Sequence, residues 1–321
     1  MNYKPFLKLA KQSKSFLIVT HVNPDIDALA SQLVVGFYLK SVGKKIYIIN
    51  ADPVPRMYSF LPGAGSIRAL KPADGNLSCD VAVVVDCGDL GRVGSVQKIA
   101  QKAKTIVNID HHVTNRRFAD INFVNPAASS TSEMVFELLK AGRYRLNRKT
   151  ALLLYLGIMT DTGSFRYDNT SAHTHAVISQ LLGFKIPVNK LYQKIYETVP
   201  LNDLKMFTKI INSFEITHAG RVTSVSLRKK DINRFSGEFD LREKIFTFLR
   251  SIKGTEVIVI LTEIKKDLTR INFRSQGNVD VAHIASLFNG GGHKKASGCQ
   301  VGGSLKEARH QVFSSLNRIL K

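Results

Sequence analysis

Short apolar runs rich in β-branched residues occur at 16–20, 45–49, 81–85 and 105–109, and none alternates strictly with polar positions. Runs of this kind suit strands buried on both faces of a parallel sheet. Between them the apolar positions recur with helical spacing, most clearly at 28–42 and again around 95–104. Strands alternating with helices predict an α/β domain with right-handed crossovers. From 131 to 212 the pattern is mostly helical, with segments at 131–141, 149–160, 171–182, 188–197 and 201–212. The last two flank Thr198-Val199-Pro200, the expected connection between two domains. Beyond it, runs at 213–218, 222–227, 256–263 and 268–274 predict a smaller sheet, with helices at 240–252, 281–287 and 305–320. The expected division is therefore 1–195, a linker helix region at 196–212, and 213–321.

Length agrees with that division, since 321 residues make about two domains of roughly 150 residues each. No apolar run approaches the ~20 residues that cross a bilayer. The start, Met-Asn-Tyr-Lys-Pro, lacks the pattern of a signal peptide, so the expected location is cytoplasmic. Cys79, Cys87 and Cys299 lie far apart, form no CxxC pair, and read as core thiols. Net charge changes the picture more. It is +21, spread over both halves without a low-complexity block, which favours nucleotides or nucleic acid as partners.

Against that basic background, four segments carry acidic residues at the C-terminal ends of apolar runs and contain no Lys or Arg. They are His21-Val22-Asn23-Pro24-Asp25-Ile26-Asp27, Asp86-Cys87-Gly88-Asp89, Asp110-His111-His112 and Thr160-Asp161-Thr162-Gly163. In an open α/β sheet the carboxyl ends of the strands line the ligand crevice, so these segments should meet in space. Gathered carboxylates need a compensating cation, and a divalent metal is the simplest one available. Carboxylate with imidazole suits Mn, Mg, Fe or Zn. Pro24 places Asp25 and Asp27 on a turn leading into the helix at 28, where each can face a different ion, and Asp86 can bridge. Taken singly the motifs are ordinary: Asp27 reads as an N-cap, the His pair as surface or core, Asp161-Thr162-Gly163 as a turn. Their coincidence is what asks for chemistry.

In the second half, Asn289-Gly290-Gly291-Gly292-His293-Lys294-Lys295 follows an amphipathic helical stretch. Consecutive glycines can wrap an anion with free N–H groups, or simply form a flexible loop. Arg274, near the end of the preceding strand, is a candidate bidentate phosphate ligand.

Taken together these residues resemble the DHH–DHHA1 phosphoesterase family. The segment from His21 to Asp27 matches its first motif, Asp86 its second, Asp110-His111-His112 the motif that names it, and Asp161 its fourth. Arg274 and Gly290-Gly291-Gly292-His293 match its C-terminal substrate-binding elements. The resemblance implies an N-terminal domain with a mainly parallel sheet flanked by helices, and a smaller α/β domain across a cleft. It also implies two divalent ions, usually Mn2+ with Mg2+, Fe2+ or Co2+ as alternatives. On that pattern His21, Asp25 and Asp86 hold one ion, and Asp27, Asp86, His111 and Asp161 the other. His112 faces the scissile phosphate, and Asp110 supports the site. Compact size resembles the nanoRNase type, which acts on short oligoribonucleotides and 3′-phosphoadenosine 5′-phosphate. The expected reaction is attack on phosphorus by a hydroxide bridging two ions. The rivals are a phosphodiesterase for cyclic dinucleotides or their linear pApA products, and a non-catalytic basic RNA-binding protein. The family often forms dimers, and the sequence leaves oligomeric state open.

Overall fold

A computed structural model of the chain describes residues 1–236 and 239–320. These fall into two compact units, Met1–Ile195 and Tyr196–Lys321. The first begins with α1 (Lys4–Gln12) and β1 (Ser15–Val19), continues through α2 (Ile26–Ser41), β2 (Lys45–Asn50), β3 (Arg68–Ala69) and β4 (Val81–Val85), and then reaches α3 (Gln97–Ala100), β5 (Thr105–Asp110) and β6 (Ile121–Val124). Four helices close it: α4 (Thr131–Ala141), α5 (Arg148–Asp161), α6 (Ala172–Leu182) and α7 (Val188–Tyr196). The final residue of α7, Tyr196, falls in the second unit.

The six strands form one sheet in the order β3-β2-β1-β4-β5-β6, parallel throughout. β4 is buried at all five positions, Val-Ala-Val-Val-Val, which explains a run that does not alternate. The chain reverses its direction of progress across the sheet between β1 and β4, so the loops after these two strands diverge and leave a crevice at their carboxyl ends. Residues 20–25 and 86–89 are those loops. The helix expected at 95–104 is mostly absent. Gly94 (φ 65°, ψ −137°) interrupts a 3-10 turn there, and only Gln97–Ala100 is α-helical, anchored by buried Ile99 and Ala100.

The second unit contains α8 (Leu201–Ile211), β7 (Glu215–Thr217), β8 (Val222–Leu227), α9 (Lys229–Ile232), α10 (Leu241–Arg250), β9 (Val257–Lys265), β10 (Leu268–Ser275), α11 (Val281–Ser286), β11 (Gly291–His293), β12 (Ala296–Gly302) and α12 (Leu305–Ile319). Its strands make a mixed sheet in the order β11-β12-β10-β9-β8-β7. Along β9 the side chains divide by parity. Val257, Val259 and Leu261 join a core with α11 and α12, while Ile258 and Ile260 join one with α10. The region expected as a linker helix packs into this unit. Its helix α8 contributes Ile211, Phe207 and Ile210 to the second of those cores.

The glycine segment is not an open loop either. Gly291–His293 pairs antiparallel with β12 as an edge strand, through a two-residue turn at Lys294-Lys295. Glycine is needed for that pairing: a Cβ at Gly290 or Gly292 would collide with the Gly298–Cys299 or Ala296–Ser297 backbone. No helix among the described residues is long and apolar enough to cross a membrane.

Candidate metal centre

His21 and Asp86 sit at the ends of the two strands that bound the crevice. Asp86 is buried and holds a left-handed backbone (φ 57°), with its N–H donating to the Ile109 carbonyl at 2.9 Å. That conformation is costly for a side chain with a Cβ and is held by its surroundings. Thr131 Oγ1 donates to Asp86 Oδ1 at 2.8 Å, and His21 Nε2 lies 3.6 Å from Oδ2. Burial works against the Asp86 charge. His21, with His112 and His111 behind it, nonetheless keeps its carboxyl below the usual range.

α2 starts earlier than its apolar spacing suggests, and this separates the two acids of the first motif. Asp25, not Asp27, is the N-cap, accepting from Ala28 N at 3.0 Å. Asp27 lies inside the first turn, 2% exposed, and its carboxylate spans the start of another helix. It accepts from Thr131 N at 2.8 Å and Ser132 N at 2.9 Å, the open N–H groups of α4. Burial, then the charges of Asp86 and Asp161, push its pKa well up. Gly157 makes this approach of helices feasible, because a Cβ there would fall on Ser132 Oγ and Asp27 Oδ1.

The histidines are oriented by bonds on their Nδ1 atoms. His21 Nδ1 lies 2.8 Å from the Val22 carbonyl and His111 Nδ1 3.3 Å from the Ala128 carbonyl. A carbonyl only accepts, so Nδ1 bears a proton in both rings, and Nε2 is the atom turned to the crevice as the candidate ligand. His111 Nε2 is 3.2 Å from Asp161 Oδ2 and 3.8 Å from Asp86 Oδ1. His112 differs: its Nδ1 is 2.7 Å from Asp110 Oδ1, and that bond raises its pKa to about 9. Asp110 is fully buried, and its other oxygen accepts from Asn115 Nδ2. Asp161 closes the crevice from the last turn of α5. Its Oδ2 is buried without a hydrogen-bond donor, the His111 contact being outside hydrogen-bonding geometry. Burial, then Asp86 and Asp25, push its pKa to about 7.

Three sets of ligand atoms result, each mutually within 4.8 Å: His21, Asp25 and Asp86; Asp27, His111 and Asp161; Asp86, His111 and His112. Two sets share Asp86 and two share His111. A divalent ion fits this donor set: hard oxygens, imidazole Nε2 atoms, an orphaned buried carboxylate oxygen, and in Asp27 and Asp161 carboxyls whose pKa values are raised by burial and then by neighbouring acids. Asp110 belongs to none of the three sets. Sequence reasoning did not find Thr131, Ser132, Asn115 or Gly157. Only Gly157 left a trace, as a glycine inside an otherwise helical run.

In the second unit Arg274 lies with its guanidinium 4.7 Å from the Phe246 ring centroid and 3.8 Å from Glu243 Oε2. His293 is exposed on β11 beside the exposed Lys294 and Lys295.

Residues 15–158 match the family model described as DHH family, N-terminal domain, and residues 219–321 match the DHHA1 domain. A bifunctional oligoribonuclease and PAP phosphatase NrnA from Bacillus subtilis is 30% identical over 292 residues, covering 89% of this chain and 89% of the relative. The chain belongs to the DHH family. A protein of the same description from Thermus thermophilus is 28% identical to this DHH chain over 308 residues, 94% of this chain and 89% of the relative. An exopolyphosphatase-related protein from Bacteroides fragilis has the same fold, with a TM-score of 0.88, 27% identity, and coverage of 98% and 96%. The DHH chain is a hydrolase.

Proposed function

We propose that this DHH protein hydrolyses short oligoribonucleotides to 5′-mononucleotides and 3′-phosphoadenosine 5′-phosphate to AMP, using two divalent ions, Mn2+ first among the candidates. The supporting observation is the sharing of Asp86 and His111 among three adjacent ligand sets at the sheet's switch point, in a chain that aligns over most of its length with oligoribonuclease and PAP phosphatase relatives. His21, Asp25 and Asp86 would hold one ion, and Asp27, Asp86, His111 and Asp161 the other. Such ions supply Lewis acidity, making water nucleophilic near neutral pH and neutralising charge on the phosphoryl oxygens. The protein's own groups do the rest. Asp110 holds the Nδ1 proton of His112 and so keeps the ring charged and its Nε2–H free. Water oxygen joins phosphorus, the bond to the ribose oxygen breaks, and His112 is the group suited to donate to that oxygen or to steady the phosphate. Arg274, Gly290, Gly291, Gly292 and His293 would contact the remaining nucleotide. Residues 1–195 would then serve as the catalytic domain and 213–321 as the substrate-binding domain.

The test is hydrolysis with added Mn2+ of a panel containing di- to pentaribonucleotides, pApA, cyclic di-AMP and 3′-phosphoadenosine 5′-phosphate, with products identified by mass. Short RNA and the bisphosphate should be turned over fastest. Asp110→Ala and His111→Ala should each lower kcat at least a hundredfold in folded protein. Unchanged metal-dependent turnover in either variant would sink the mechanism, and a panel dominated by cyclic di-AMP would sink the substrate assignment.

A further inference from the structure

The segment that follows Asp161 is built to display one aromatic ring. Gly163, Ser164 and Phe165 are three consecutive residues with left-handed backbone (φ 55°, 60° and 66°). Left-handed Ser and Phe are strained, and such strain persists only where the surroundings impose it. Here they do so from several sides. Ser164 N donates to Met159 O at 2.7 Å and Phe165 N to Thr162 Oγ1 at 3.1 Å. Arg166 Nε donates to Gly163 O at 2.7 Å, and Asn169 Nδ2 reaches back to the carbonyls of Asp161 and Ser129. The half-buried Phe165 ring lies against buried Tyr155 and exposed His175, with centroids 6.5 and 5.6 Å away.

Two residues later the opposite occurs. Tyr167 is turned back so that its ring lies directly over Gly163, where any Cβ would overlap ring carbons, yet the residue is 48% exposed. Its backbone is fixed, with its N–H on Thr162 O at 3.1 Å and its carbonyl accepting from Thr170 N at 3.0 Å. An aromatic ring with one face on a glycine and the other in solvent gains little for folding. It is a flat surface two residues after the left-handed run that ends in Phe165, and six residues along the chain from Asp161. Exposed rings fixed in this way are what proteins use to receive unstacked bases.

We propose that Tyr167 is the stacking platform for the nucleobase of the nucleotide whose phosphate is bound at the crevice. This rests on the nucleotide reading above and adds to it a residue that confers preference for base-bearing substrates. Stacking accepts any base, so the preference is for a nucleobase over none, and for purines over pyrimidines by ring area. The hydroxyl plays no part, because the contact is through the ring face.

The proposal is tested with Tyr167→Leu and Tyr167→Phe, first by melting curves to establish that both fold. Quenching of 2-aminopurine ribonucleoside 5′-monophosphate fluorescence in the presence of Mn2+ then reads stacking without turnover. Wild type and Tyr167→Phe should quench alike, and Tyr167→Leu should lose the quench and bind about tenfold more weakly, the order set by one base–aromatic stack. In hydrolysis, Tyr167→Leu should raise KM for 3′-phosphoadenosine 5′-phosphate with kcat within threefold, and should leave the base-free ribose 3,5-bisphosphate unaffected. Equal quenching by wild type and Tyr167→Leu, or equal losses on both substrates, overturns the proposal. A wild-type protein that hydrolyses no nucleotide phosphate but shows the Tyr167-dependent quench overturns the functional reading and leaves the platform standing.

Discussion

At the scale of single residues, the crevice gathers oxygens for which protons and a divalent ion would compete. Asp161, with its pKa near 7, and His112, near 9, both bind protons more tightly in the folded chain than in the unfolded one. For a carboxyl raised in this way, the stability it lends is whole below its unfolded value of about 4 and is lost as pH rises through about 7. For His112 the corresponding window runs from about 6.5 to about 9. Both signs agree, so ion-free protein should melt at a lower temperature at pH 8 than at pH 5.5. Divalent ions, which replace the lost protons, should restore more at pH 8. Melting curves in chelator and in Mn2+ at the two pH values check this, with Asp161→Asn as the control that should flatten the dependence. A chelated wild type that is more stable at pH 8, and no flatter in the variant, would contradict it.

Elements matter because the site depends on how closely helices approach one another. α4 presents its first N–H groups to Asp27 and the Thr131 hydroxyl to Asp86, so one helix terminus orients an acid of α2 and one of the loop after β4. α5 can pass this junction only because Gly157 has no side chain. Ala in a helix ordinarily stabilises by about 1 kcal/mol over Gly. Here Gly157→Ala should instead destabilise by about 1–3 kcal/mol, the usual cost of overpacking, and should weaken Mn2+ binding severalfold. Denaturant titration and ion titration by calorimetry measure the two effects. A stabilised variant would show that the helices have room to spare.

This is also the scale at which the sequence was least explicit. Strand β4 was legible because five buried apolar residues admit few other readings, and the ligand candidates were legible because acids and histidines cluster at strand ends against a basic background. β12 was not, since Ala-Ser-Gly-Cys-Gln-Val-Gly has little strand propensity of its own and is held by seven pairings with β10. The donors of α4 were invisible for a deeper reason: a backbone N–H belongs to every residue and has no signature in the sequence. Asp25 and Asp27 were recognised as important, but which of them caps α2 was decided by where the helix begins.

The whole molecule carries a net charge of +21, spread over both halves of the chain. A polyanion should therefore feel the protein before it reaches the crevice, and that attraction is screened within about 8–10 Å at physiological salt. KM for a pentaribonucleotide should rise at least fivefold between 50 and 300 mM KCl while kcat stays nearly constant. The rise for the shorter bisphosphate should be smaller. Steady-state kinetics over that salt range decides it, and a salt-independent KM would confine the electrostatics to the crevice.

The crevice draws its acids and histidines from the ends of β1, β4 and β5 and from the last turn of α5, so His21 and Asp161 come together across 140 residues of chain (161 − 21). Parallel strands joined through helices close such distances late in folding, after the loop entropy of each crossover has been overcome. No fragment of the chain holds a full ligand set in advance. In a small zinc domain, by contrast, the ion gathers neighbouring ligands and so organises the chain around itself. Here the order of events is reversed. With Asp27 resting on the amides of α4, we expect the fold to be completed first and a divalent ion to recognise the finished sheet.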